Sequence, residues 1–214
     1  ILLKFLFYFT VNGYFRSIYI KGDDLIPTKG PVIFAANHNS AFMDPILLAV
    51  RIPRRIYFLA RGDVFKNKFA ATFFSWLNMI PVFRADHDPN DMHKNAQVFQ
   101  KCFEHLEQGR TIMIFPEGTS KTERKLRPIK TGVARITLGA EKQNNFDLDV
   151  KIVPIGINYS NLHNFKSDVF VNFGTPISVK EYQKSFEKNE REAVSELTEH
   201  LKTELEQLIL IVED

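Results

Sequence analysis

The chain has 214 residues, 44% of them apolar and 25% charged, with a formal net charge of +3. That length allows one domain, or one domain with an appendage, and the balance of residues excludes a disordered chain. So small a net charge gives no ground for a nucleic-acid partner, and the single Cys102 excludes an internal disulfide and fits a reducing compartment.

Residues 1–11 are apolar apart from Lys4 and Thr10. The run is shorter than the ~20 residues a membrane-spanning helix needs, and it lacks the small-residue cleavage site of a signal peptide. It predicts a helix lying in a membrane surface or packed on the domain, or the remainder of a longer span. Phenylalanine is abundant, 20 in all, clustered in the N-terminal run and between residues 58 and 83. These rings either fill the core or face lipid.

Phe15 to Lys21 reads as a strand, followed by the turn chemistry of Gly22-Asp23-Asp24 and Pro27 to Pro31. Val32 to Ala36 is a buried strand leading into Asn37-His38-Asn39-Ser40-Ala41-Phe42-Met43-Asp44. A helix starts at Pro45, with Asp44 in the position of an N-cap. Arg55 to Ala60 is a strand. Val64 to Leu77 is helical, with Phe65, Phe69, Phe73 and Trp76 or Leu77 on one stripe. Ile80 to Phe83 is a short strand ending at Arg84. Pro89 to Glu107 is a helix stopped by Gly109, and Thr111 to Phe115 is a central strand. Gly132 to Gln143 is helical, Val150 to Ile157 and Val169 to Phe173 are strands, and Val194, Leu197, Leu201, Leu205, Leu208 and Val212 mark a long amphipathic C-terminal helix.

Strands alternating with helices predict an α/β fold: a layered, mostly parallel central sheet flanked by helices, with an apolar membrane-associated helix over residues 1–13 and one domain over 14–214. Sites in such sheets collect at the carboxyl ends of strands. His38, Arg84 and Glu117 each lie just past a predicted strand end. Histidine, which titrates near ~6.5, can take a proton from a hydroxyl, and a nearby carboxylate such as Asp44 can orient the ring. A guanidinium such as Arg84 suits phosphate. Phe115-Pro116-Glu117-Gly118-Thr119-Ser120 is a glycine-containing loop able to turn backbone N–H groups toward an anion. The basic run after it (Lys121, Arg124, Lys125, Arg127, Lys130) either faces phosphate or acidic lipid or is a solvated surface. His87, His93, His105, His163 and His200 show no metal-site spacing, and no nucleotide-binding glycine motif is present.

Together these blocks resemble the glycerol-phosphate acyltransferase family, which includes the 1-acylglycerol-3-phosphate acyltransferases. Asn37-His38 with Asp44 is similar to its catalytic block, and Arg84 to the arginine closing its second. Phe115 to Thr119 resembles its third, with Lys130 and Gly132 after it, and Val153-Pro154-Ile155 its fourth. The chain departs from the family in three places. Five residues, Asn39 to Met43, separate the histidine from the aspartate where four are usual. Asn78 stands where a glycine is expected, and Ser120 where an arginine usually follows the threonine.

The resemblance implies acyl transfer from acyl-CoA or acyl-carrier protein to the hydroxyl of lysophosphatidic acid. His38 would be the general base, Asp44 would orient it, and Arg84, Glu117, Gly118, Thr119 and Lys121 would meet the phosphate-bearing acceptor. It implies no metal or redox cofactor, and a site at the cytoplasmic face of a membrane. Glycerol-3-phosphate or another lysolipid as acceptor stays open, as do hydrolysis by the same pair and, from a different class, a non-catalytic membrane-binding module.

Overall fold

A computed structural model describes residues 2–65, 67–82, 95–123, 125–162 and 164–210. Its centre is an eight-stranded sheet: β1 (Ser17–Lys21), β2 (Val32–Ala36), β3 (Ile56–Arg61), β4 (Met79–Val82), β5 (Thr111–Ile114), β6 (Lys151–Tyr159), β7 (Asp168–Phe173) and β8 (Ile177–Ser178). The spatial order is β1-β7-β6-β2-β5-β3-β4, with β8 also on β6. Every pairing is parallel except those of β6 with β7 and with β8. The middle strands β2 and β5 are buried along their whole length, as a parallel strand covered on both faces must be, which is why both read as unbroken apolar runs.

Two apolar layers sit on the two faces. One gathers α4 (Asn95–Glu107), α5 (Gly132–Gln143) and α7 (Glu190–Leu208) over Ile33, Ala35, Ile112, Ile114 and Ile152. The other packs α1 (Leu2–Tyr14) and α2 (Met43–Arg51) over Val32, Phe34, Ala36, Met113 and Val153. Alternation of side chains along each strand produces this division. The connection leaving β2 runs through α2 on one face, whereas that leaving β5 runs through α5 on the other. The chain therefore parts at the carboxyl ends of β2 and β5, where an open sheet of this kind forms its crevice.

Several boundaries differ from the sequence expectation. The continuous helix from Val64 to Leu77 is instead a 3-10 turn, Gly62–Phe65, followed by α3 (Lys68–Trp76). Asn67 restarts the helix, its Oδ1 accepting the Phe69 N–H at 2.9 Å. Phe69, Phe73 and Trp76 are 87%, 54% and 68% exposed, so this stripe faces outward rather than into the core. The helix expected from Pro89 is described from Asn95, residues 83–94 lying outside the described residues. α6 (Gln183–Lys188), the 3-10 turn Val179–Tyr182 and β8 are too short to leave a periodic signal. α7 is capped by Asn189, whose side chain accepts the N–H groups of Arg191 and Glu192, and Val212 lies outside the described residues.

Asn78, in place of a glycine, has φ 58° and accepts the Arg55 guanidinium on its side chain. The position demands left-handed backbone, which asparagine tolerates better than other non-glycine residues, so the departure preserves the turn. α1 lies on α2: Lys4 Nζ donates to the Ile52 carbonyl at 2.8 Å, and Arg51 donates to Asn12. Val11 is buried there, while Phe5, Leu6 and Phe9 face outward. Among the described residues no helix is long and apolar enough to cross a membrane.

Candidate active site

β2 delivers Asn37 and His38 to the crevice. Asn37 is buried and bonded both ways to β6: it donates to the Ile157 carbonyl at 3.0 Å and accepts the Ile157 N–H at 2.7 Å. This continues the β2–β6 pairing past the last strand residue and fixes where the chain turns off. His38 follows, its ring stacked on Phe115 from the end of β5 at 3.9 Å between centroids.

The five-residue interval between His38 and Asp44 closes through a turn. The Asp44 N–H donates to the Ser40 carbonyl, and α2 starts at Met43, so Asp44 lies within its first turn. Asp44 is therefore not the N-cap; Phe42 holds that position and makes no side-chain cap bond. Instead Asp44 is fully buried, with three donors around it. Oδ2 meets His38 Nδ1 at 2.9 Å and the Ser40 N–H at 2.8 Å, and Oδ1 accepts the Tyr159 hydroxyl at 2.6 Å. A carboxylate already surrounded by donors is an acceptor toward the ring, so Nδ1 carries the proton and Nε2 presents its lone pair. Nε2 has no protein partner among the described residues. Burial, and then the charge of Asp44, hold the Tyr159 phenol well above its usual range, which keeps it a donor.

The loop after β5 supports the histidine from the other side. Glu117 is 6% exposed; its Oε1 accepts the His38 N–H at 2.8 Å and its Oε2 pairs with Arg127 Nε at 2.5 Å. Burial raises its pKa, with the His38 amide and Arg127 acting against the rise. Both oxygens thus go to protein groups, and Glu117 supports the His38 backbone in this structure.

Gly118 has φ 74°, and a Cβ there would come 3.2 Å from the Lys130 side chain, which lies across it. Two of the loop's amides are already committed, Gly118 N–H to the Phe115 carbonyl and Lys121 N–H to the His38 carbonyl. Thr119 accepts Arg127 on both its hydroxyl and its carbonyl. The structure therefore brings His38, Asp44, Glu117, Gly118, Thr119 and Lys121 into one cluster. Arg84 lies outside the described residues.

Tyr159 escaped the sequence reading, which named Arg127 and Lys130 only as members of the basic run and not by the contacts they make with Glu117, Thr119 and Gly118. Tyr159 ends the strand beside β2, so the order of strands was the missing signal. Cys102 is buried in the core with its thiol pushed up to about 12, an inert position. Among the described residues no group of three His, Cys, Asp or Glu side chains converges on a metal-sized site.

The chain is 28% identical over 296 aligned residues to glycerol-3-phosphate O-acyltransferase 1 of Saccharomyces cerevisiae, covering 98% of this chain and 39% of that protein. It is 29% identical over 112 residues to 1-acyl-sn-glycerol-3-phosphate acyltransferase of Bacillus subtilis, covering 52% of this chain and 51% of the other. The chain thus spans well under two thirds of the curated relatives it matches. Its fold follows that of the crystal structure of the 1-acyl-sn-glycerophosphate (LPA) acyltransferase PlsC from Thermotoga maritima, with a TM-score of 0.68 over 96% of this chain and 78% of that one at 21% identity. The acyltransferase family model matches residues 17–158, the segment that carries β1 to β5, β6 up to Asn158, and the cluster around His38 apart from Tyr159, and the chain belongs to the acyltransferase family.

Proposed function

We propose that this chain moves a fatty acyl group from acyl-CoA or acyl-carrier protein to the hydroxyl of lysophosphatidic acid, forming phosphatidic acid. The observation that carries this reading is His38 itself: Nδ1 is held by Asp44 while Nε2 is free of any described protein partner. A base oriented in this way, with no protein nucleophile on it, activates a hydroxyl brought by the substrate. Nε2 takes the proton, the acceptor oxygen attacks the thioester carbonyl, and the tetrahedral intermediate expels the thiolate, which recovers the proton from His38. Asp44 steadies the imidazolium formed on the way. The reaction so written draws on no metal or redox group. Much of the acceleration comes from positioning two substrates against one base. Lys121 and Lys130, with Arg84, supply cations for the acceptor phosphate.

Glycerol-3-phosphate is the second reading of the acceptor. It is favoured by the yeast relative, whose match covers nearly all of this chain. The outward aromatic faces of α1 and α3 rest on lipid in this proposal, at the cytoplasmic face of a membrane.

The test is thiol release from palmitoyl-CoA and from acyl-carrier protein, in detergent, with each acceptor in turn and His38→Ala as control. Release that requires an acceptor and vanishes in the variant supports acyl transfer, and the acceptor that drives it names the step. Release without any acceptor means hydrolysis. Liposome binding without turnover by any combination means a membrane-binding module and overturns the proposal.

A further inference from the structure

Among the described residues of the basic run after the third block, Arg127 is unlike Lys121, Lys125 and Lys130, which are exposed. The Arg127 side chain is only 12% exposed, and Pro128 after it disfavours helical backbone. Its guanidinium points back into the loop. Nε pairs with Glu117 Oε2 at 2.5 Å, Nη1 donates to Thr119 Oγ1 at 2.6 Å, and Nη2 donates to the Thr119 carbonyl and, at 3.2 Å, to the His38 carbonyl. These contacts occupy four of the five N–H groups a guanidinium carries, leaving little for a phosphate.

The contacts also close a ring. The His38 N–H is held by Glu117, Glu117 by Arg127, and Arg127 returns to the His38 carbonyl. Both polar groups of the histidine backbone are thereby met by one ion pair, the carbonyl also accepting the Lys121 N–H, while Asp44 fixes the ring through Nδ1. Ser120 follows Thr119, and Arg127, reaching in from seven residues further along the chain, brings a guanidinium to this loop.

We propose that Arg127 is a positioning residue for the proposed general base: it holds the His38 backbone through Glu117 and Thr119, and with it the direction of Nε2, rather than binding the acceptor. This rests on the acyl-transfer reading. Lysine cannot reproduce the planar fork that spans a carboxylate, a hydroxyl and two carbonyls, so Arg127→Lys should rescue only part of the loss.

The test has two readouts. In steady-state kinetics, Arg127→Ala should lower kcat by roughly 10- to 100-fold, in keeping with charge-assisted hydrogen bonds lost from a preorganised site. Acceptor and donor KM should stay within about twofold, and Arg127→Lys should fall between. Combining Arg127→Ala with Glu117→Gln should cost little more than either change alone, because the two act as a unit.

Independently of activity, amide hydrogen exchange should show the His38 N–H exchanging about tenfold faster or more in Arg127→Ala, with β2 and β5 keeping their protection. An unchanged kcat with a raised acceptor KM would make Arg127 a phosphate ligand and overturn the proposal, and so would unchanged His38 protection. Should Arg127→Ala not fold, Arg127→Lys carries both readouts. If His38→Ala keeps full acyl transfer, the functional reading fails instead, while the exchange result still decides whether Arg127 holds the histidine backbone.

Discussion

Asp44 takes three hydrogen bonds on two oxygens, and each donor comes from a different part of the chain: the loop residue Ser40, His38 after β2, and Tyr159 at the end of β6. Asp44→Asn puts an amide where the ring N–H must find an acceptor, which disturbs the tautomer that leaves Nε2 free. We expect kcat to fall by roughly 10²- to 10⁴-fold while the melting temperature moves little, measured by steady-state kinetics and thermal unfolding on the same preparation. A large loss of melting temperature with activity retained would reduce Asp44 to a structural role. Tyr159→Phe removes one donor without changing shape and should cost about 1–3 kcal/mol, divided between rate and stability. His38 and Asp44 were legible in the sequence because a base and a carboxylate six positions apart stood just past an apolar run. Tyr159 and Arg127 were not: their roles depend on which strands are neighbours and on how the loop folds back over Glu117, and neither leaves a local pattern.

The C-terminal end of α7 is seated directly on β6. The Leu208 carbonyl accepts from the side chains of Asn158 and Asn172, and the Leu210 N–H donates to Asn158 Oδ1. These asparagines cap carbonyls the helix cannot satisfy itself. Gly156 makes the seating close, since a Cβ there would lie 2.3 Å from the Leu208 carbonyl oxygen. Gly156→Ala must therefore push backbone against backbone. We expect a loss of about 2–4 kcal/mol in denaturant unfolding, and a fall in activity as well, because Asn37 is anchored on the adjacent Ile157. The long elements α5 and α7 were readable from their 3.6-residue period and β2 from its apolar run. The break before α3 was missed because the phenylalanine spacing continues through it, so a periodic pattern outlived the helix that should have carried it.

Two features act across the whole molecule. Outward-facing aromatic side chains on α1 (Phe5, Phe9) and α3 (Phe69, Phe73, Trp76) fit a protein resting on lipid. Phe5→Ser with Phe9→Ser should reduce sedimentation with anionic liposomes several-fold while leaving unfolding almost unchanged, as expected for exposed positions; undiminished binding would remove α1 from the contact.

Stability should also depend on pH through Glu141, which is fully buried, accepts the Val150 N–H at 2.6 Å on Oε1, and has no partner for Oε2. Burial raises its pKa above 4.5, so between that value and its native pKa the folded state holds a proton the unfolded state has lost. Its contribution is then complete below about 4.5 and is lost as pH rises through the native value. Melting curves against pH should show the wild type losing stability over this range and Glu141→Gln losing less of it.

The pairing of β1 with β7 has a further consequence. Ser17 to Lys21 lie in register with Asp168 to Asn172, roughly 150 positions later. At a synthesis rate of about 5–20 residues per second, β1 waits roughly 8–30 s for the segment that pairs with it. During that interval α1 has β2 and α2 to lean on but no finished edge beside it. Tyr159 is likewise made long after His38 and Asp44, so the carboxylate gains its third donor only once β6 has been synthesised.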